Sequence, residues 1–356
     1  MMNAIDVAKK FKIDSLPVSC EEYGCGHIND TYLVNTEKNT KYILQRINTR
    51  IFKDPVGLMN NIKLVTEYLK SNGAGSRETL SLIYTLDNEC YYVDTDNNYY
   101  RMYDFVTDTV TYQAVENNKQ FEQCAEAFGR FQKQLSGFDA SKLCEVIPNF
   151  HNTFSRFNDF KKSLAADKLG RAKDVEAEIK FVLEREDDTK VLVDLLNKGD
   201  LKLRVTHNDT KLNNILFDRE SDSPICVIDL DTIMPGLALY DFGDSIRFGA
   251  STGAEDEKDL SKIECSLELF ECYTKGFLSE CGDILDEKEK MLLPFGAKIM
   301  TLECGIRFLA DYLDGDVYFK THYPDHNLDR CRTQFKLVSD MEAKMNDLIN
   351  IIKKYL

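Results

Sequence analysis

Three polar side chains in one stretch have the types and spacing that phosphoryl transfer requires. Asp209 is followed by four residues and then by Asn214, and Asp229 comes directly after the apolar run 225–228. Moving a phosphoryl group needs a carboxylate beside the attacking hydroxyl, to orient it and take its proton. It also needs oxygen ligands that hold Mg²⁺ against the donor phosphates. We therefore predict Asp209 as the catalytic base and Asn214 and Asp229 as Mg²⁺ ligands, with ATP as donor.

Each of these assignments has a plain structural alternative. Asp209 could instead cap a loop, because Asn and Asp are common at turns and strand ends. Asn213 adjoins Asn214, so the metal ligand could be shifted by one residue. His207 has no serine or cysteine nucleophile beside it, and we expect it to orient the loop through hydrogen bonds.

The residue pattern of this stretch resembles that of a known enzyme family. HND at 207–209 with Asn214, ID at 228–229 and LYD at 239–241 are similar to the aminoglycoside phosphotransferase and choline kinase family. The longer strings HNDTKLNNILFD and VIDLDTIMPGLALYDFGDSIRFGA resemble the N-acetylhexosamine 1-kinases within it. That group uses ATP to phosphorylate the anomeric hydroxyl of N-acetylglucosamine or N-acetylgalactosamine. The resemblance also implies that Asp241 braces the loop of Asp209 and is structural, not catalytic.

The resemblance also covers the glycine-rich segment near Gly24 and the segment 303–327, and so most of the chain. It implies an α+β fold of the two-lobed protein-kinase type. The expected parts are a small β-rich nucleotide-binding lobe over 1–102, a hinge at 103–107 and a helical catalytic and substrate-binding lobe over 108–356.

Hydrophobic periodicity predicts the elements that would position these residues. Two strands are expected at 27–34 and 41–47, joined by a polar turn. From Asn117 onward apolar residues recur every three or four positions, which indicates helices. Pro294 marks either a bend in one of them or its true start. The last three predicted helices cover 256–280, 287–313 and 328–355.

Nucleotide contacts are predicted in the first of these regions. Gly24 and Gly26 would let the backbone approach the phosphates, as in the glycine-rich loop of kinases, although a Gly-x-Gly pair also suits an ordinary hairpin bend. Asp104 and Val106 fall in the predicted hinge, where the resemblance implies that backbone groups bind adenine. A plain strand end is the alternative there.

The third strand departs from the kinase pattern. Kinases carry a lysine there, paired with a glutamate on the next helix. This chain offers Gln45 and Arg46 on the strand, and Asn60 and Asn61 on the helix. Successive strand residues face opposite sides, so only one of Gln45 and Arg46 can point toward the phosphates.

The acceptor is expected to bind the helical lobe. A neutral hexosamide presents hydroxyls and an amide, so its pocket needs fixed donors and acceptors and a flat apolar surface. Arg307 and Asp311 are four residues apart and would share a helix face, either to bind sugar or as a surface ion pair. The candidate substrate-binding residues are Asp209, Asp231, Arg247, Arg307, Asp311 and Tyr318.

Composition narrows the class of protein. Among 356 residues, 60 acidic and 45 basic side chains give a net charge of −15, which argues against a nucleic-acid partner. No apolar stretch approaches the roughly 20 residues that span a bilayer, and the N-terminus lacks a signal-peptide core, so we expect a cytoplasmic protein without a membrane partner. The eleven cysteines form no C-x-x-C pair, which predicts reduced thiols.

Two other functions remain open. A kinase of the same fold could act on another small alcohol, such as an aminoglycoside, choline or homoserine, and an acidic chain would suit cationic acceptors. The missing lysine and glutamate also allow a nucleotide-binding regulator without turnover. Asp209, Asn214 and Asp229 argue against the regulator, because a binding module needs no catalytic base.

Overall fold

The computed structural model describes residues 3–24 and 28–356. The strands are β1 (Pro17–Glu22), β2 (Asp30–Thr36), β3 (Lys41–Arg46), β4 (Leu82–Ile83), β5 (Tyr92–Val93), β6 (Tyr99–Asp104), β7 (Thr109–Val110), β8 (Arg204–Thr206), β9 (Ile215–Asp218), β10 (Pro224–Val227) and β11 (Met234–Gly236). The helices are α1 (Ala4–Ala8), α2 (Pro55–Ser71), α3 (Asn118–Gln134), α4 (Thr153–Ala166), α5 (Glu176–Leu183), α6 (Asp188–Asn197), α7 (Ala238–Gly249), α8 (Leu267–Cys281), α9 (Glu287–Met291), α10 (Leu293–Asp314), α11 (His326–Ala343) and α12 (Met345–Lys353).

The chain forms two compact units. The first comprises 1–111, 137–148 and 215–235, and the second comprises 112–136, 149–214 and 236–356. The first unit is therefore discontinuous in the chain, and the lobes and hinge expected from the sequence stay a prediction. The reason is strand pairing, because β7 pairs with β9 and so brings the β9–β10 hairpin into the first unit.

An antiparallel sheet organises the first unit. Its strands follow the order β1-β2-β3-β6-β4, and β5 also pairs with β6. Alternate side chains of β3 and β6 face α1 and form a hydrophobic core, so the residues between them face the opposite side of the sheet. The core consists of Val7, Ala8, Phe11, Val34, Tyr42, Leu44, Tyr100 and Met102.

Helices α7 and α10 are central to the second unit. They approach closely at two glycines: a Cβ on Gly243 would lie 2.5 Å from the carbonyl oxygen of Gly296. Phe242 of α7 packs edge-to-face against rings of α8 at centroid distances of 5.4 to 5.7 Å. This packing fixes the helix that supports the loop carrying Asp209.

Several sequence expectations can be compared directly with these elements. Pro294 lies in the first turn of α10 and marks the start of that helix, after the short α9. The predicted helix 328–355 is two helices, because the chain breaks at Lys344. The ten cysteines within the described ranges are all free thiols. Across the described parts of the chain, no helix combines the length and apolarity needed to cross a membrane.

Candidate active site

Helix α7 holds the loop that carries Asp209 through one face of its first two turns. Asp241 is fully buried, and its carboxylate accepts hydrogen bonds from the backbone N–H groups of His207 (3.0 Å) and Asn208 (2.8 Å). One turn further on, Asp244 accepts from the N–H of Thr210 at 3.1 Å. Residues three apart share a helix face, so a single helix orients successive loop amides.

These hydrogen bonds suit the loop-bracing role predicted for Asp241, which stays a prediction. Burial raises the pKa of Asp241 and outweighs the opposing effects of His207 and of the N–H donors around it. Gln132 of α3 donates a further hydrogen bond to the same carboxylate at 2.5 Å. Sequence reasoning missed Gln132, because nothing links α3 to this loop in the sequence.

Asp209 sits in a charged and hydrogen-bonded setting suited to proton transfer. Its carboxylate contacts the ammonium group of Lys211 at 2.7 Å and accepts a hydrogen bond from the amide of Asn214 at 3.1 Å. Burial alone would raise the pKa of Asp209, but the charge and hydrogen bond of Lys211 outweigh it and hold the pKa below its ordinary value. The carboxylate is therefore ionised at neutral pH.

His207 supports this loop from within the second unit. Its ring is fully buried and lies edge-on to Phe128 at a centroid distance of 5.5 Å. Its Nδ1 accepts a hydrogen bond from the backbone N–H of Asp209 at 3.3 Å. These contacts suit the orienting role predicted for His207.

Asp229 lies in the first unit, directly after β10. It adopts a left-handed conformation (φ 59°, ψ 57°) and begins a short 3-10 turn over Leu230–Thr232. Asp tolerates this region better than most residues, and a sharp turn here ends the strand. Asp231, in the same turn, is buried and forms an ion pair with Arg101 at 2.5 Å. The carboxylate of Asp231 is therefore paired with Arg101, a residue of the same unit.

The strand register shows which of Gln45 and Arg46, on the third strand, faces this turn. Gln45 lies opposite Arg101 in the β3–β6 register and accepts a hydrogen bond from its Nε at 2.9 Å. Arg46 has the opposite strand parity and pairs with Asp30 through its Nε at 2.6 Å. Gln45 thus points to the Asp231 side, and Arg46 does not.

The remaining predicted nucleotide contacts lie in the first unit. Gly24 has φ 82°, a backbone conformation that suits glycine, while Gly26 lies outside the described residues. The backbone N–H of Asp104 donates to the carbonyl of Ser81 at 2.9 Å. The N–H of Val106 donates to no acceptor among the described residues.

Arg307 is the most distinctive of the predicted acceptor-binding residues. Its guanidinium lies 5.3 to 5.9 Å from the ring centroids of Phe150, Tyr318 and Phe319. Among described residues, no carboxylate lies within salt-bridge distance of it, so the predicted surface pair with Asp311 does not form. Tyr318 is exposed, so its ring and the cation together offer a flat and polar surface.

The polar groups of Asp311 and Arg247 bind other residues of the protein and are not available to a ligand. The carboxylate of Asp311 accepts from three consecutive backbone N–H groups at 317–319 and from the amide of Asn327. Four donors fill the acceptor capacity of a carboxylate, so Asp311 shapes the loop that carries Tyr318. Arg247 is buried and pairs with Asp244 and Glu255, each at 2.9 Å.

A buried histidine and glutamate link this acceptor region to the loop of Asp209. His151 lies 2.9 Å from Glu303 through Nδ1 and 3.1 Å from the carbonyl oxygen of Asn208 through Nε2. Glu303 is one turn before Arg307 on α10, and Thr153 donates to it at 2.7 Å. Burial alone would raise the pKa of Glu303, but His151 and Thr153 help to hold it low. Sequence reasoning missed His151, which lies in a segment without any motif.

Comparison with known proteins identifies the class of molecule to which this arrangement belongs. The chain is similar to an aminoglycoside phosphotransferase from Alicyclobacillus acidocaldarius (13% identity, 99% of this chain and 97% of that chain, TM-score 0.64). It is also similar to a microcompartment-associated aminopropanol kinase (14%, 97% and 97%, TM-score 0.60). A third similar structure is an amicoumacin kinase in complex with AMP-PNP and Ca²⁺ (14%, 96% and 92%, TM-score 0.60). The predicted kinase-like α+β fold is therefore confirmed.

A match to a family model identifies the protein family of the chain. Residues 19–264 match the phosphotransferase enzyme family, a span that includes Asp209, Asn214, Asp229 and Asp241. The chain belongs to this family. It is a kinase-like phosphotransferase of small molecules, as its sequence predicted.

Proposed function

We propose that this protein transfers the γ-phosphoryl group of ATP to the anomeric 1-hydroxyl of an N-acetylhexosamine. The observation that carries the phosphoryl-transfer part is the setting of Asp209, which is ionised, paired with Lys211 and bonded to Asn214. A carboxylate held in this way orients the acceptor hydroxyl and takes its proton as the bond to phosphorus forms. His207 and Asp241 keep the loop in place.

Asn214 and Asp229 are the residues that would hold Mg²⁺. The amide nitrogen of Asn214 donates to the backbone carbonyl of Asp209 at 2.8 Å and to its carboxylate, which leaves the amide oxygen without a donor among the described residues. Carboxylate and amide oxygens are the ligands that Mg²⁺ prefers, so this donor set fits the ion. When bound, Mg²⁺ would offset the charge of the donor phosphates.

The acceptor assignment rests on the environment of Arg307. A guanidinium without a carboxylate partner repels cationic acceptors such as choline or an aminoglycoside, whereas it can donate hydrogen bonds to hydroxyl and amide oxygens. Burial and the charge of Arg307 lower the pKa of Arg156, so a second guanidinium lies close enough to Arg307 to add to the positive potential here. The likeness of the catalytic stretch to N-acetylhexosamine 1-kinases supports the same acceptor.

The test is a coupled assay of ATP consumption with Mg²⁺ against a panel of acceptors. The panel contains N-acetylglucosamine, N-acetylgalactosamine, their 1-O-methyl glycosides, choline, homoserine and an aminoglycoside. Turnover of the free sugars but not of the glycosides is expected, because methylation blocks the anomeric hydroxyl. Turnover of a cationic alcohol alone would refute the sugar assignment and retain the phosphotransferase mechanism.

An Arg307→Met variant tests the acceptor site itself. We expect the KM for the sugar to rise by about 10-fold or more and the KM for ATP to stay unchanged, since a hydrogen bond from a charged group contributes about 1.5–3 kcal/mol. Arg185→Met is a matched control, because Arg185 also lies over a phenylalanine ring but pairs with Glu342. Equal effects of both variants would contradict a specific role for Arg307.

A further inference from the structure

The first unit contains a buried cation that the sequence pattern did not indicate. The third strand carries Gln45 where kinases carry a lysine, and Gln45 lies directly opposite Arg101 of β6 in the sheet register. Arg101 is 1% exposed, and it is among the largest fully buried side chains in the part of the chain that the structure describes. A buried guanidinium is costly unless its charge and its N–H groups are satisfied.

The contacts of Arg101 satisfy only part of the hydrogen-bonding capacity of its guanidinium. Its Nε donates to the side-chain oxygen of Gln45 at 2.9 Å, and its Nη1 pairs with Asp231 at 2.5 Å. Gln45 in turn donates to Thr31 at 3.0 Å, and the amide of Asn29 donates to Asp231 at 2.5 Å. These neighbours fix the guanidinium in one orientation on the side of the sheet opposite the hydrophobic core.

Two polar groups on this side have no hydrogen-bond partner among the described residues. The Nη1 group of Arg101 is buried and, although it lies 2.5 Å from the carboxylate of Asp231, it makes no hydrogen bond to a described acceptor. The hydroxyl of Tyr103 is also buried without a partner, and its ring centroid lies 5.4 Å from the Arg101 guanidinium. Buried polar groups are rarely left unpaired in folded proteins, so this pair of groups points to a missing ligand with acceptor oxygens.

We propose that Arg101 binds the phosphate groups of the nucleotide and supplies the positive charge that a third-strand lysine supplies in kinases. This inference rests on the nucleotide part of the proposed function. Gln45 occupies the lysine position as a neutral anchor that orients Arg101 from the neighbouring strand. An arginine suits this task because its planar N–H groups match phosphate oxygens.

Asp231 has a defined part in this arrangement. Its carboxylate balances Arg101 within the protein, which lets the cation stay buried before the nucleotide binds. Asp231 is two residues from the metal-ligand candidate Asp229, so a change of Arg101 could also act through that turn. The experiment must separate these two routes.

The experiment measures the affinity of ATP, ADP and adenosine for the full chain by isothermal titration calorimetry, with and without Mg²⁺. The main variant is Arg101→Met/Asp231→Leu, which removes both charges together and leaves neither one buried alone. Arg101→Lys retains the charge without the planar fork. The control is Arg77→Met/Asp218→Leu, an arginine–aspartate pair of the same unit at 3.0 Å whose arginine is exposed.

We expect the main variant to bind ATP and ADP about 10- to 100-fold more weakly, with or without Mg²⁺, because hydrogen bonds from charged groups contribute at this scale. Adenosine affinity should stay within about twofold, and Arg101→Lys should fall between wild type and the main variant. The control should bind all three ligands like the wild type.

Other results would overturn the proposal. An equal loss for ATP and adenosine would give Arg101 a purely structural role. A loss seen only with Mg²⁺ would mean that Arg101 acts through the metal-binding turn. No acceptor is present in these titrations, so an error in the sugar assignment would leave ATP binding by the wild type intact and would be recognised separately.

Discussion

The loop that carries Asp209 and the turn that carries Asp229 are held in different ways. Asp241 reaches the backbone of His207 from 34 positions along the chain, and Lys211 and Asn214 lie within the loop itself. The turn with Asp229 is held by Asn29, which bonds to Asp231 across 202 positions, and by Asn61, which bonds to the carbonyl of Ile233 across 172.

This difference shows which supports a sequence motif can record. A motif captures chemistry and its local braces when both fall in one stretch, as they do around Asp209. It records the metal-ligand candidate Asp229 but none of its distant supports. The four predictions below set the two regions against each other, in order of decreasing expected effect.

Asp209→Asn should remove most turnover. The amide cannot accept the proton, and general-base catalysis contributes about 10²- to 10⁴-fold. We expect kcat to fall by that order while thermal stability and ATP affinity are retained, which steady-state kinetics, a melting curve and calorimetry would check. Full activity in this variant would rule out the proposed mechanism.

Asp241→Ala and Asn61→Ala should separate the two kinds of support. Asp241→Ala removes the acceptor of the N–H groups of His207 and Asn208 and of the Gln132 amide. Asn61→Ala removes the hydrogen-bond partner of backbone groups of Cys144 and Ile233. Each should lower the free energy of unfolding by about 3 kcal/mol, since a buried group left unpaired costs about 1–3 kcal/mol.

The two variants should differ in kinetics. Asp241→Ala should lower kcat at unchanged ATP affinity, because it loosens the loop of Asp209. Asn61→Ala should chiefly raise the Mg²⁺ concentration that half-maximal activity requires. Chemical denaturation and a Mg²⁺ titration of the rate would check this, and identical kinetic profiles would remove the distinction between the regions.

Lys211→Met should change the pH dependence of kcat. Burial raises the pKa of Asp209 and Lys211 lowers it, so removal of Lys211 leaves only weaker opposing effects, such as those of His207 and Asn214, and raises that pKa. Because the ionised form is the active one, the acidic loss of activity should occur at higher pH in the variant. We expect the wild-type rate to hold between pH 8 and about 5 while that of the variant declines. Lys162→Met, which breaks only an exposed pair with Asp159, should follow the wild type.

Thr153→Val should have the smallest effect. It removes the hydrogen bond from Thr153 to the buried Glu303, which should lower the free energy of unfolding by about 1 kcal/mol and change kcat by less than about threefold. Thr274→Val is the control, because the hydroxyl of Thr274 is buried without a partner among the described residues. Denaturation curves showing an equal loss for both would contradict the role of this hydrogen bond.

Much of the fold followed from the sequence. The β-rich first region and the helical second region were predicted, and Pro294 was expected to mark either a bend in a helix or its start, since periodicity and proline act locally. The first compact unit is discontinuous in the chain, because β7 pairs with β9 and so brings in the β9–β10 hairpin from more than 100 positions away. Strand pairing at that distance leaves no mark on periodicity.

The candidate site was predicted unevenly for the same reason. Asp311 and Arg247 have residue types that suit a sugar, yet their hydrogen-bonding capacity is used within the protein. Arg101 and His151 lie in segments with no recognisable motif. Their importance depends on Asp231 and Glu303, each more than 100 residues away in the chain.

The sequence by itself determined the chemistry proposed for this protein: a candidate carboxylate base, candidate oxygen ligands for a metal and a predicted brace of the loop, all within 207–244. Only the tertiary structure decided which cation lies beside Gln45, which carboxylates are already satisfied and which arginine has no carboxylate within salt-bridge distance among the described residues. The physical reason is that reactivity depends on residue type and close spacing, whereas charge balance and hydrogen-bond satisfaction depend on neighbours in space.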